Sequence, residues 1–126
     1  MGDSWFPLLC PFFVIFFMRV WDVSPKVLCQ NHLLGEHREL HAVWSVITKD
    51  KKGYSLHPET MRWKGKLLAL YNRHDQLVRE MANRGYSHKS PLDKRNATGS
   101  PIQDAYVNTI PEQRQILKDK KCSCKI

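Results

Sequence analysis

Two stretches of apolar residues repeating at helical spacing constrain this chain more than any other feature. Leu33, Leu34, Leu40, Val43, Trp44 and Ile47 form one such stripe. Leu67, Leu70, Tyr71, His74, Leu77, Val78 and Met81 form the other. The first predicts a helix from Val27 or Asn31 to Thr48, with Glu36, Arg38, Glu39 and His41 on its remaining surface. A charged run, residues 49–53, closes it with Gly53. His57-Pro58-Glu59-Thr60 has the form of a helix start, with proline near the first turn. The second helix is expected over residues 60–83, with Gly85 after Arg84 as its C-terminal cap. A third is expected over residues 111–121, directing Ile116 and Leu117 to the core. Residues 19–23 form a short, partly apolar segment stopped by Ser24-Pro25, and residues 87–101 read as a long exposed loop. Convincing strands and internal repeats are lacking. The expected fold class is all-α: a single compact domain of about three helices with long loops.

Residues 1–17, MGDSWFPLLCPFFVIFF, break from this pattern. The run is short of the roughly 20 apolar residues that span a bilayer, and Pro7 and Pro11 interrupt it. It has no basic start and no small-residue cleavage site, so it does not fit a signal peptide. A mis-assigned start, with the working protein beginning at Met18, is preferred over a weak leader or a packed extension. The chain then divides into an apolar extension, residues 1–17, and a helical domain, residues 18–126.

That division concentrates charge. The whole chain carries 20 Lys+Arg and 12 Asp+Glu, a net of +8. Asp3 is the one charged residue before Met18, so the remainder stands at +9. A small domain this basic attracts polyanions, of which nucleic acid is the commonest. Arg62, Lys64, Lys66, Lys89, Arg114 and Lys118 could all neutralise phosphates, although each also suits a solvated surface.

The four cysteines, Cys10, Cys29, Cys122 and Cys124, make no convincing disulfide framework, which points to a reduced, cytoplasmic protein. Asn96-Ala97-Thr98 fits a glycosylation sequon, a pattern common by chance. Cys29, His32 and Glu36 stand at i, i+3 and i+7, and His37 and His41 at i, i+4. They lack the HExxH form and a recognisable fourth ligand, and Cys122-x-Cys124 is a weak motif of its own. No metal or other cofactor is expected, and the histidines read as surface groups.

The segment HLLGEHREL, residues 32–40, is the most informative. It places His32, Glu36 and Glu39 on roughly one side of a helix, with Arg38 next to Glu39 in sequence. A carboxylate near an arginine on a rigid helix suits electrostatic or acid–base work, and equally an ordinary solvated surface.

From Met18 to about Lys121 the chain resembles the pyrimidine-dimer DNA glycosylase/AP lyase family, the phage UV-endonuclease type. The block HLLGEHREL, the register running back without a gap to Met18-Arg19, the Arg84-Gly85-Tyr86 exit and the Gln113-Arg114…Lys118 pattern carry the likeness. The resemblance implies attack on a damaged nucleotide by the α-amine of the mature N-terminus, here that of Met18. It implies that Glu39 is the essential glutamate, that Arg19 and Arg38 grip phosphates, and that Asn31, His32, Lys89, Arg114 and Lys118 contact DNA. The implied partner is double-stranded DNA carrying UV damage or abasic sites, met by a monomer with no membrane attachment. Two departures stand out. Met18 occupies the place of the family's threonine, and residues 118–126 lack the aromatic tail of the phage type. In the chain as written the Met18 nitrogen is an amide without a usable lone pair. A non-catalytic DNA-binding protein of the same fold and a membrane-tethered helical protein remain the alternatives.

Overall fold

The long helix α1, Gln30–Thr48, packs chiefly against a second long helix, and their facing stripes fill the core. In this computed structural model the described residues are 19–49, 57–87, 90–120 and 122–126. Four helices occur among them: α1, the short α2 (Pro58–Met61), α3 (Leu67–Asn83) and α4 (Ile110–Asp119). Strands are absent from the described residues, apart from one isolated antiparallel bridge between Lys66 and Gly99. The all-α expectation holds. Leu33, Leu40, Leu70 and Leu77 are fully buried between α1 and α3, each burial contributing roughly 1.5–3 kcal/mol.

The helix expected over residues 60–83 is instead two. His57 caps α2, its Nδ1 accepting from the Glu59 amide at 3.1 Å. The chain then turns through residues 62–66 before α3 begins. Gly65 stands at φ +76°, which a right-handed helix cannot continue through. The interruption lets Trp63 turn into the core, where its Nε1 donates to Glu59 Oε2 at 3.1 Å.

Parts of the long connection after α3 are more than an exposed loop. The Leu68 and Ala69 amides donate to the Thr98 and Ser100 carbonyls at 2.8 and 3.1 Å. These amides belong to the first turn of α3, where no intrahelical acceptor exists, so the returning loop satisfies them. Leu92 and Ala97 pack against the core from the same connection. Helix α4 starts at a capping box: Thr109 Oγ1 accepts from the Glu112 amide while Glu112 accepts from the Thr109 amide. Its Leu117 enters the core as expected, with Gln113 buried beside it.

Residues 19–23 are also core rather than surface, since Val20, Trp21 and Val23 are buried. Glu59 Oε2 accepts from the Val20 amide at 3.2 Å, and Arg62 donates to the Val20 carbonyl at 2.6 Å. Gln113 grips Asp22 at both its backbone amide and its side chain, at 2.7 and 2.8 Å. The amino end of the described chain is thus held by α2, the turn after it and α4. Among the described residues no helix is long and apolar enough to cross a membrane. Residues 1–17 lie outside the description.

Candidate active site

A cavity of about 390 Å³ opens between residues 19–21, the first half of α1 and the end of α4. Arg19, Asn31, His32, Arg38 and Glu39 line it together, so five of the residues singled out in the sequence share one site. Helical geometry explains part of this. Asn31, His32, Gly35, Arg38 and Glu39 lie along one flank of α1, three to four residues apart. The rest is tertiary: Arg19 arrives from the pinned amino-terminal segment, and Lys120 from just past the end of α4.

Each charged wall has its own support. Arg19 donates to Asn108 Oδ1 at 2.9 Å, and its guanidinium carbon sits 5.0 Å from the centre of the Trp21 ring. Trp21 meets the His32 ring edge-on at 6.0 Å. Burial lowers the pKa of His32, and the nearby Lys120 ammonium lowers it further. Both effects favour the neutral imidazole. The half-buried Glu39 carboxyl is shifted the other way: burial raises its pKa, and the adjacent Arg38 opposes that shift. A partly desolvated carboxylate is a stronger base than a hydrated one, and it acts on a nearby cation with less screening.

Glu36 corrects the surface role expected for it. Its carboxylate is buried and accepts two hydrogen bonds from Arg73, at 2.6 and 2.9 Å. Burial raises its pKa while Arg73 opposes that shift. Glu36 also borders the cavity, but it is buried and tied to Arg73 as a strut between α1 and α3, whereas Glu39 is the half-buried carboxylate on the same cavity. The basic groups also sort themselves. Arg62 is buried against Glu59 and Asp22, at 2.7 and 3.0 Å, and holds the fold rather than lining a groove. Lys66 pairs with Asp104 at 3.0 Å, and Lys64 is exposed. Arg114 and Lys118 are exposed on α4 but line a separate depression with Pro111, Gln115 and Ile126. Met18 and Lys89 fall outside the described residues.

Glu36 and Ile116 also line the cavity, as do Trp21, Gly35 and Lys120, which were not expected there from the sequence. Trp21 was visible as an aromatic residue two positions from Arg19, whereas the place of Lys120 depends on how α4 docks. The α1 histidines expected at the surface, His32, His37 and His41, are partly buried. His74 is buried on α3, in keeping with its place in the apolar stripe, with its Nε2 3.1 Å from His41 Nε2. Among the described residues two groups could hold a metal ion: His37, His41 and His74 between α1 and α3, and Cys29, His32, Cys122 and Cys124 beside the cavity.

The family model for pyrimidine dimer DNA glycosylase matches residues 18–94. No curated protein and no solved structure matches the chain.

Proposed function

On the premise that the chain belongs to the pyrimidine dimer DNA glycosylase family, we propose that it removes UV-damaged pyrimidines from double-stranded DNA and cleaves the resulting abasic site. The observation that carries the reading is the shared cavity: Glu39, Arg19, Arg38, Asn31 and His32 line it, and Arg19 is the second residue of the family match. Met18 is joined to Arg19 by one peptide bond. A chain starting at Met18 therefore has its α-amine within one residue of a cavity wall.

An α-amine has a pKa near 7.7–8.0, so a useful fraction is neutral at physiological pH, unlike a lysine near 10.4. The neutral nitrogen attacks C1′ of the damaged nucleotide, and the bond from C1′ to the pyrimidine nitrogen breaks with its electron pair leaving on the base. Proton loss from the nitrogen and opening of the sugar ring give a protonated imine. Removal of a C2′ proton then expels the 3′ phosphate by β-elimination, and water releases the protein from the cleaved product. Glu39, as the carboxylate, stabilises the cationic sugar and the iminium and assists proton transfer. Arg19 and Arg38 hold the flanking phosphates, while Asn31 and His32 offer polar contacts to the displaced nucleotide. Exposed Arg114 and Lys118, with Lys89, extend the phosphate contacts. Displacing a nucleotide costs least where the lesion has already weakened pairing.

The amine must be free, so activity is assigned to the form beginning at Met18. The test is borohydride trapping on duplex DNA with an abasic site, comparing chains that begin at Met1 and at Met18. A covalent adduct from the Met18 form alone supports the amine mechanism. Absence of an adduct from both forms, with DNA binding intact, would leave a DNA-binding protein without lyase chemistry.

A further inference from the structure

Four soft or borderline metal ligands meet where the carboxyl-terminal tail reaches the start of α1. Cys29 is the residue capping α1, and His32 lies one turn in. Cys122 and Cys124 follow α4. The three thiol sulfurs and one histidine nitrogen all lie within 4.8 Å of one another. His32 Nδ1 is 3.1 Å from Cys29 Sγ and 3.3 Å from Cys124 Sγ. In a tetrahedral zinc site with Zn–S near 2.3 Å and Zn–N near 2.0–2.1 Å, ligand atoms stand about 3.5–3.8 Å apart. The cluster needs only sub-ångström to ångström adjustments to reach that shape.

We propose that Cys29, His32, Cys122 and Cys124 form a structural Zn²⁺ site that fastens the carboxyl-terminal tail to the amino end of α1. The donor set selects the metal. Three thiolates and an imidazole suit zinc, whereas magnesium and calcium demand oxygen. With four protein ligands the site is closed, which marks a structural role rather than a catalytic one.

The surroundings fit a bound thiolate–metal centre. The Cys29 amide donates to Cys124 Sγ at 3.0 Å, a bond that stabilises negative charge on sulfur. Three thiolates, a neutral imidazole and Zn²⁺ carry a net charge of −1, and the adjacent cavity is lined by Lys26, Lys120 and Lys125 together with the Arg84–Glu80 ion pair. The tail is already in register: the Lys125 amide donates to the Val27 carbonyl at 2.7 Å, and Cys124 and Ile126 pack on the core. Arg84 holds the loop before Cys29 through the Leu28 carbonyl at 2.7 Å. Binding involves no redox change. Zn²⁺ displaces the thiol protons to solvent, so affinity rises with pH.

The sequence alone argued against a metal because Cys29 and His32 have no fourth ligand at a recognisable spacing and Cys122-x-Cys124 is a weak motif; the two halves lie at least 90 residues apart. Cys122 and Cys124 also lie beyond the family match, which ends at residue 94. The site would connect to the cavity through His32, which lines both the tail depression and the Glu39 cavity. With Nδ1 on the metal, the ring proton resides on Nε2, which can then only donate a hydrogen bond. The metal site does not depend on the proposed enzymology.

The test is metal analysis of the full chain purified under reducing conditions, then cobalt substitution of the metal-stripped protein. About one zinc per chain is expected. Co²⁺ should give a near-ultraviolet thiolate-to-metal charge-transfer band with intense visible bands of tetrahedral cobalt. The double variant Cys122→Ser/Cys124→Ser should lose the zinc and the charge-transfer band, while His41→Ala keeps both. Three results would overturn the proposal: no stoichiometric metal and no charge-transfer band in the parent chain, zinc retained by the double cysteine variant, or a mass two hydrogens lighter with no metal, which would mark a disulfide. If the cysteine variant does not fold, the cobalt spectrum of the parent chain decides, because the cluster of His37, His41 and His74 contains no sulfur.

Discussion

The Arg62 guanidinium donates a hydrogen bond of 2.6 Å to the Val20 carbonyl, so the start of the family match is clamped from the turn after α2. The same guanidinium pairs with Glu59 and Asp22, and Glu59 also accepts from the Val20 amide. Both peptide groups of Val20 are therefore fixed by one buried ion cluster. In the proposed mechanism the attacking amine stands two residues earlier and needs such an anchor, because a misplacement of about 1 Å can cost on the order of 100-fold in rate.

Arg62→Ala should consequently act on two levels. It strips the Glu59 and Asp22 carboxylates of their paired guanidinium, which costs about 3–5 kcal/mol. Chemical denaturation should show that loss. At temperatures where the variant stays folded, single-turnover cleavage of abasic DNA should still fall by roughly 100-fold. A variant as stable as the parent would show that the clamp is idle.

Glu39→Gln keeps the size of the side chain and removes its charge. The expected result is DNA affinity within about two-fold of the parent, with cleavage reduced by at least roughly 100-fold, the low end for a lost acid–base group. Gel-shift and nicking assays on the same damaged duplex separate the two effects. Nicking at the parent rate would remove Glu39 from the catalytic assignment.

The direction of the Glu39 shift gives a pH test. Burial favours its protonated form, so the carboxyl titrates above the ordinary glutamate range. Arg38 opposes that shift, so Arg38→Ala should move the midpoint higher still. Carbon-detected NMR of the side chain reads both midpoints. The working carboxylate is lost as pH falls through the folded-state pKa, so the acid limb of cleavage should move to higher pH in the same variant. An unchanged midpoint would show that Arg38 exerts no field on Glu39.

Arg73→Met isolates the strut between the long helices. It leaves Glu36 buried without its two hydrogen bonds, and stability should fall by about 3–5 kcal/mol. Replacing both partners, Glu36→Leu with Arg73→Met, should recover much of that loss, because the cost lies in the stranded charge. Thermal or urea unfolding of the set decides. A double variant no better than the single would mean the pair contributes packing that apolar groups cannot replace.

Gly99 stands at φ +87°, and a Cβ added there would overlap the Gly65 carbonyl oxygen. Gly99→Ala should cost at least about 2 kcal/mol from the left-handed backbone and the clash together. Its melting temperature should drop by several degrees or more. Gly35 lies inside α1, where an added Cβ would meet the Arg38 guanidinium at an ordinary 4.0 Å contact, and Gly35→Ala should stabilise by up to about 1 kcal/mol. If both substitutions shifted the melting temperature equally, the bridge between residues 66 and 99 would not constrain the fold.

Much of this protein is local, and local physics was legible in order along the chain. The apolar periods of α1 and α3 require two helices facing a common core, and the spacing within residues 31–39 puts Asn31, His32, Arg38 and Glu39 on one flank. No local pattern revealed which of two similar glutamates is buried. Glu36 and Glu39 lie in the same charged segment of one helix and both border the cavity, and only the docking of α3 brings Arg73 against a buried Glu36 while Glu39 stays half-buried. The break at residues 62–66 escaped for a related reason. A helical period continues across it, and the burial of Trp63 with the return of Gly99 outweighs that local preference. Arg62 looked like a DNA-facing base because charge alone says nothing about depth, and Asp22 and Glu59 supply the partners that let it be buried. The meeting of Cys29 and His32 with Cys122 and Cys124 belongs wholly to the tertiary structure, since ligands 90 or more residues apart share no spacing rule. Sequence fixes which faces a helix can offer. Packing decides which of them meet, because burial and charge pairing depend on neighbours distant along the chain.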